Sequence, residues 1–83
     1  MNNKSTKKDI KGVIRIITES ALVAREVRDF VREKDVPGEY DRWTTKLMVY
    51  ADVLALLTGR EPVNCYTTED LGSIIKDLGG DNG

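Results

Sequence analysis

Eleven consecutive residues, Leu47 to Leu57, read LMVYADVLALL and carry a single charged side chain, Asp52. A chain that leaves such a run in water forgoes roughly 1.5–3 kcal/mol for each large aliphatic side chain. Within and just before this run, Tyr40, Trp43, Leu47, Tyr50, Leu54 and Leu57 recur at alternating spacings of three and four, the period of a helix with one buried stripe. Val49, Val53 and Leu56 form a second apolar line beside the first, and Met48, Ala51 and Ala55 fill most of what remains. A helix apolar nearly all round is a buried helix. The pattern therefore predicts a central helix over 38–58 that is covered on more than one side.

The flanking segments supply the cover. From Lys7 to Lys34, Ile10, Val13, Ile17, Ser20, Ala24, Val27 and Val31 follow the three-four spacing of a coiled-coil seam, with Ile16, Val23 and Phe30 as a second line repeating every seven residues. Arg15 with Glu19 and Arg25 with Asp29 stand four apart on the polar side, where each pair adds a few tenths of a kcal/mol. The small residues Ser20, Ala21 and Ala24 admit a close neighbour, and a break near Thr18 to Ser20 is left open by the sequence. Lys34-Asp35-Val36-Pro37-Gly38 joins this helix to the central one, with Pro37 suited to a first helical turn. So short a connection makes antiparallel neighbours. Gly59 and Pro62 end the central helix, Val63 to Tyr66 read as a loop with a short extended stretch, and Thr67 or Thr68 caps a last helix over 68–78 with the stripe Leu71, Ile74, Ile75 and Leu78. Residues 1–6 and 80–83 read as flexible ends.

The fold class that follows is all-α: one domain over residues 1–83, built as a long antiparallel helical hairpin with a short third helix laid across it. One hairpin partner and one helix of eleven residues are too little to cover both wide apolar faces. The sequence thus predicts self-association into a helical bundle, most simply a two-fold dimer, with a compact three-helix monomer as the alternative.

Several function classes lose their ingredients at this stage. A single cysteine, Cys65, and no histidine leave no intrachain disulfide, no common metal ligand set and no imidazole-dependent triad. No cofactor motif is present. Thirteen basic and fourteen acidic residues give a net charge of −1, against a dedicated nucleic-acid or membrane-surface protein. Lys7, Lys8 and Lys11 ahead of VIRIITESALVA resemble a secretory leader, but Arg15 and Glu19 interrupt the apolar part, and the chain reads as cytoplasmic.

Candidate binding residues fall into three groups. Lys7, Lys8 and Lys11, with Lys4, make a basic cluster that reads as a solvated tail or as an anion-binding arm. Arg25, Arg28 and Arg32 share one side of the first helix and suit phosphate contacts, although Glu26, Asp29 and Glu33 interleave with them as in a solvated ion-pair face. Arg42, beside Tyr40 and Trp43, and Tyr66 supply cationic and stacking groups, while Tyr40 and Trp43 themselves fit the buried seam. Asp52 must be paired, protonated or at a site if it is buried, and lies on the least apolar line of its helix, with Asp41, Thr45, Met48 and Ala55. A solvent-edge or arginine-paired carboxylate is the simpler account of it. No residue is assigned to catalysis or to a metal, and Cys65 has no evident activator.

The triplet Asp41-Arg42-Trp43, opening a helix after a long polar–apolar helix, is similar to small phage-encoded helical sponge proteins that sequester cyclic nucleotides and blunt an anti-phage response. That resemblance implies a catalytically empty, oligomeric helical protein holding a ligand between subunits, and assigns no site residue here. The sequence thus points first to a non-enzymatic interaction protein of the inhibitor, adaptor or phage-accessory type, acting on another macromolecule, most simply a protein, as a homo-oligomer. The alternatives are sequestration of a nucleotide-like anion at a subunit interface and nucleic-acid binding through the basic arm, with no membrane role.

Overall fold

The computed structural model describes residues 3–79, with side chains from Asp9 onward. Three helices follow in order: α1 (Asn3–Lys34), α2 (Glu39–Thr58) and α3 (Thr68–Leu78), with one 3-10 turn at Pro62–Cys65 between the last two. Among the described residues there is no strand. Among the described residues no helix is long and apolar enough to cross a membrane. The fold is all-α, a long helical hairpin completed by a short third helix, as the periodicity predicts. The expected flexible ends Met1, Asn2 and 80–83 lie outside the described residues.

The helix ends are set by backbone chemistry. Helix α1 runs unbroken through Thr18 to Ser20 and starts at Asn3, four residues ahead of the expected Lys7. It closes in a Schellman arrangement, in which the Val36 N–H reaches the Val31 carbonyl at 3.3 Å and the Asp35 N–H reaches that of Arg32 at 3.2 Å. Asp35 takes the left-handed position at φ 58°, a place where glycine is usual and a short polar side chain is tolerated. Gly38, at φ 79°, then turns the chain into α2, so Pro37 stands ahead of the helix and not in its first turn. Gly59, at φ 80°, ends α2 by donating to the Ala55 carbonyl at 2.9 Å. The stretch expected to be extended after Pro62 is instead wound into the 3-10 turn, which begins on Pro62. Proline fixes φ at a helical value there, and the Asn64 N–H closes the turn onto the Glu61 carbonyl at 2.8 Å.

The core lies on one side of the hairpin. It gathers Ile14, Ala21 and Ala24 from α1, Leu47, Ala51, Leu54 and Ala55 from α2, Cys65 from the turn, and Leu71, Ile74 and Leu78 from α3. Small residues at 21 and 24 let the helices approach closely, and Leu47, Leu54 and Leu71 fill the space between them. Buried Thr18 satisfies its hydroxyl on the Ile14 carbonyl at 2.7 Å, which costs the core no unpaired polar group. Helix α3 packs against α1 and the 3-10 turn and does not lie across both long helices. Its position is pinned by Arg60, which reaches Asp77 at 2.7 Å and Ser73 at 3.2 Å from the loop after α2.

This placement rotates the buried stripe of α1 away from the expected seam. Ala24 and Val31 are buried as predicted, but Ile10 and Val13 are exposed, and Ile14, Thr18 and Ala21 take the inner positions. The second predicted line faces outward: Ile16, Val23 and Phe30 are 63%, 54% and 59% exposed. On α2, Leu47 and Leu54 are buried, Tyr40, Trp43 and Tyr50 are half-buried, and Val49 and Leu56 are exposed, Leu56 to 86%. The chain covers α2 on one side only.

Helix α3 begins with a reciprocal cap. The Asp70 N–H donates to the Thr67 hydroxyl at 3.0 Å and the Thr67 N–H donates to the Asp70 carboxylate at 3.2 Å. The bond from the Thr67 backbone, followed by that from its hydroxyl, holds the Asp70 carboxyl below its ordinary range. A depressed carboxyl contributes stability that is complete above the unfolded value, about 3.9, and is lost as pH falls through the folded one. Thr67→Ala should therefore lower unfolding free energy by about 1 kcal/mol in urea titrations at pH 7. As pH falls through the folded value and Asp70 takes up its proton, the same substitution should cost less.

Candidate functional site

Three polar and apolar constellations stand out, and they divide the sequence candidates sharply. Arg25 and Arg28, one turn apart on α1, converge on Tyr66 at the end of the 3-10 turn. The Arg25 Nη1 donates to the Tyr66 carbonyl at 2.6 Å, and its guanidinium carbon stands 5.3 Å from the Tyr66 ring centroid. The Arg28 Nη1 donates to the Tyr66 hydroxyl at 3.0 Å, and Arg28 also sits 5.7 Å from the Tyr40 ring centroid. Asp29 accepts from Arg28 at 3.3 Å. Arg28 is buried, an environment that an arginine tolerates only when its charge is met by hydrogen bonds, a carboxylate and aromatic faces.

These contacts make the cluster a clasp between α1, the start of α2 and the entry to α3. Its donors point inward. The Arg25 Nε is itself buried and has no hydrogen-bond acceptor, so no approaching anion can reach it. Of the three first-helix arginines expected to share a phosphate-binding side, Arg25 and Arg28 are thus engaged within the fold, and only Arg32 is exposed. Arg42 is exposed and pairs with Glu39 at 3.5 Å. Lys11 is exposed, while Lys7 and Lys8 lie within α1 on its first turns. The structure brings Arg25, Arg28 and Tyr66 together and leaves Lys11, Arg32 and Arg42 apart from them.

The second constellation is an apolar pocket of about 320 Å³ between α2 and the 3-10 turn, lined by Met48, Ala51, Asp52, Pro62, Val63, Tyr66 and Thr67. Asp52 is exposed at its edge and not buried, and no ion pair to an arginine of α1 joins it among the described residues. Tyr66 therefore serves two surfaces: its carbonyl and hydroxyl are held by the arginines, and the residue forms part of the pocket wall. Pro62 and Val63 reach the pocket because the turn is wound, which is why the expected extended segment gave no hint of a cavity.

The third lies on the opposite, uncovered side of the hairpin, a groove of about 380 Å³ lined by Ile16, Glu19, Ser20, Val23, Trp43, Lys46 and Tyr50. Lys46 stands 4.5 Å from the Trp43 ring centroid, and the indole N–H donates to Glu39 at 3.2 Å. Trp43 is half-buried and fills the floor between the helices, as its place in the seam predicts. Cys65 is buried, and that burial pushes its thiol above the ordinary range against smaller opposing effects from Thr58 and Arg60. A thiol in that state is a packing group and a poor nucleophile.

No protein-family model, curated protein or solved structure matches this chain, so the roles of these clusters follow from their geometry alone. The clasp makes a direct prediction about stability. Arg28→Ala removes a charged hydrogen bond and leaves the Tyr66 hydroxyl unpaired, which should cost about 2 kcal/mol in urea denaturation. Arg32→Ala and Arg42→Ala, made at exposed positions, should each stay within about 0.5 kcal/mol of the parent.

Proposed function

We propose that the protein is a non-enzymatic interaction module that works as a homodimer, pairing the uncovered faces of two hairpins and presenting the α3 side to another macromolecule. One observation carries this reading: the outward face of the hairpin is apolar at helical register on both helices at once. On α1 it holds Val13, Ile16, Val23 and Phe30, with half-buried Val27 between them, and on α2 it holds half-buried Trp43 and Tyr50 with exposed Leu57, spaced seven apart on one stripe. Positions 13, 16, 20, 23, 27 and 30 alternate by three and four, which is the seam of a helical bundle and not a scatter of surface residues.

The occupant best suited to such a face is a second copy. Helix α2 has 20 residues and spans about 30 Å, and two helices side by side are about 20 Å wide, so the face approaches the ~800 Å² per partner of a stable interface. Glu19 and Lys46 both border the groove and carry opposite charge. A two-fold axis sets the same patch against itself, so Glu19 of one copy can meet Lys46 of the other. Two hairpins packed in this way form a four-helix core.

The inward turn of Arg25 and Arg28 takes two donors from any nucleotide-like anion, and the carboxylate at the edge of the α2 pocket repels one, so binding of a polypeptide is the reading these residues favour over sequestration. Sedimentation velocity at micromolar concentration tests the assembly. The account expects a species of twice 9.3 kDa. Val23→Glu, placed at an exposed apolar position that lines the groove, should shift it to the single-chain mass with helical circular dichroism unchanged. A monomeric parent protein would remove the basis for the proposal.

A further inference from the structure

We infer that the pocket between α2 and the 3-10 turn receives a lysine or arginine side chain of a partner polypeptide. This deepens the interaction reading above and rests on it. The walls are apolar: Met48, Ala51, Pro62 and Val63 surround the space, with Tyr66 and Thr67 closing one side. Val63 is 73% exposed and Met48 more than half, so the walls stand ready to be covered and are not part of the protein's own core. At the edge sits Asp52, a carboxylate with no ion pair among the described residues. Apolar walls that end in a single anion complement a group with an aliphatic stem and a cationic head, which is the form of a basic side chain.

Size decides between a side chain and a free small molecule. At about 320 Å³ the pocket is at the bottom of the range for small-molecule sites, and it lies open to solvent between two surface elements. A free ligand of drug size would leave much of its surface wet, whereas one side chain fits and its neighbours in a partner segment would cover Val63. The clasp gives the site rigidity, since Arg25 and Arg28 fix Tyr66 from behind and hold the end of the turn that carries Pro62 and Val63. A preformed pocket loses less conformational freedom on binding.

The test is a titration of the ¹⁵N-labelled full chain with n-butylammonium and n-butylguanidinium, using n-butanol as the neutral match in shape. Both cations should give saturable shifts at the amides of Met48, Asp52, Val63 and Tyr66, in the millimolar range, and butanol should bind at least tenfold more weakly. Asp52→Asn should abolish the preference for the cations, and Asp41→Asn, at another exposed carboxylate of the same helix, should leave it intact. Absence of saturable shifts at those four residues, or an equal response to butanol, would overturn the assignment. Sedimentation of the same samples separates the two ideas: a dimer that ignores the cations sinks the pocket alone, and a monomer that binds them sinks the self-association alone.

Discussion

The structure depends on how closely α1 and α2 approach through small side chains. Ala21 and Ala24 on α1 face Leu47, Ala51, Leu54 and Ala55 on α2, and the resulting contact is tight enough that Leu54 is fully buried in a chain of 83 residues. A chain of this length buries only about 60–65% of its unfolded surface. All of that capacity is used on one side. Helix α3 and the 3-10 turn seal the inner core, Arg60 ties the loop to α3 through Asp77, and nothing in the described residues reaches the outer side of the hairpin. The unequal cover of the two faces is therefore a consequence of length and of where the third helix lands.

Where that third helix lands also explains which parts of the fold were legible in the sequence. Gly38, Gly59, Pro62 and the Thr67–Asp70 cap punctuate the chain locally, and each acts through its own backbone, so the ends of α2 and α3 could be placed within a residue or so. The inner stripe of α1 could not. Its apolar arc is wide enough to offer two seams, one through Ile10, Val13 and Ile17 and another through Ile14, Thr18 and Ala21, and the second contains a threonine that looks polar until its hydroxyl bonds the Ile14 carbonyl. Choosing between them requires knowing which flank α3 covers, a long-range fact with no local signature.

The candidate site shows the same division. The spacing of Arg25 and Arg28 put them on one side of α1, and Tyr66 was recognisable as an aromatic group in a loop, but their meeting across about forty residues depends on the winding of the turn at Pro62. Charge alone suggested phosphate contacts, whereas the geometry turns both guanidiniums onto tyrosines and a carbonyl. Asp52 was conspicuous as the one charged residue in an apolar run, and it gains a context only when Pro62 and Val63 fold over to make a wall beside it. Clasp and pocket are thus one unit: the arginines spend their charge on holding Tyr66, and Tyr66 helps shape the cavity that ends at Asp52.

Two faces with different chemistry suit a protein that assembles through one and engages a partner through the other. The outer side is a broad apolar seam bordered by Glu19 and Lys46, and the inner side carries a small, anionic-edged pocket held in shape by the clasp. An isotope-filtered nuclear Overhauser experiment on an equal mixture of ¹³C-labelled and unlabelled chains examines this division at the level of individual methyl groups. The account predicts contacts between chains from Ile16, Val23, Val27 and Leu57, and none from Leu71, Ile74 or Val63. Contacts between chains centred on Val63 and Met48, or none at all at millimolar concentration, would contradict it.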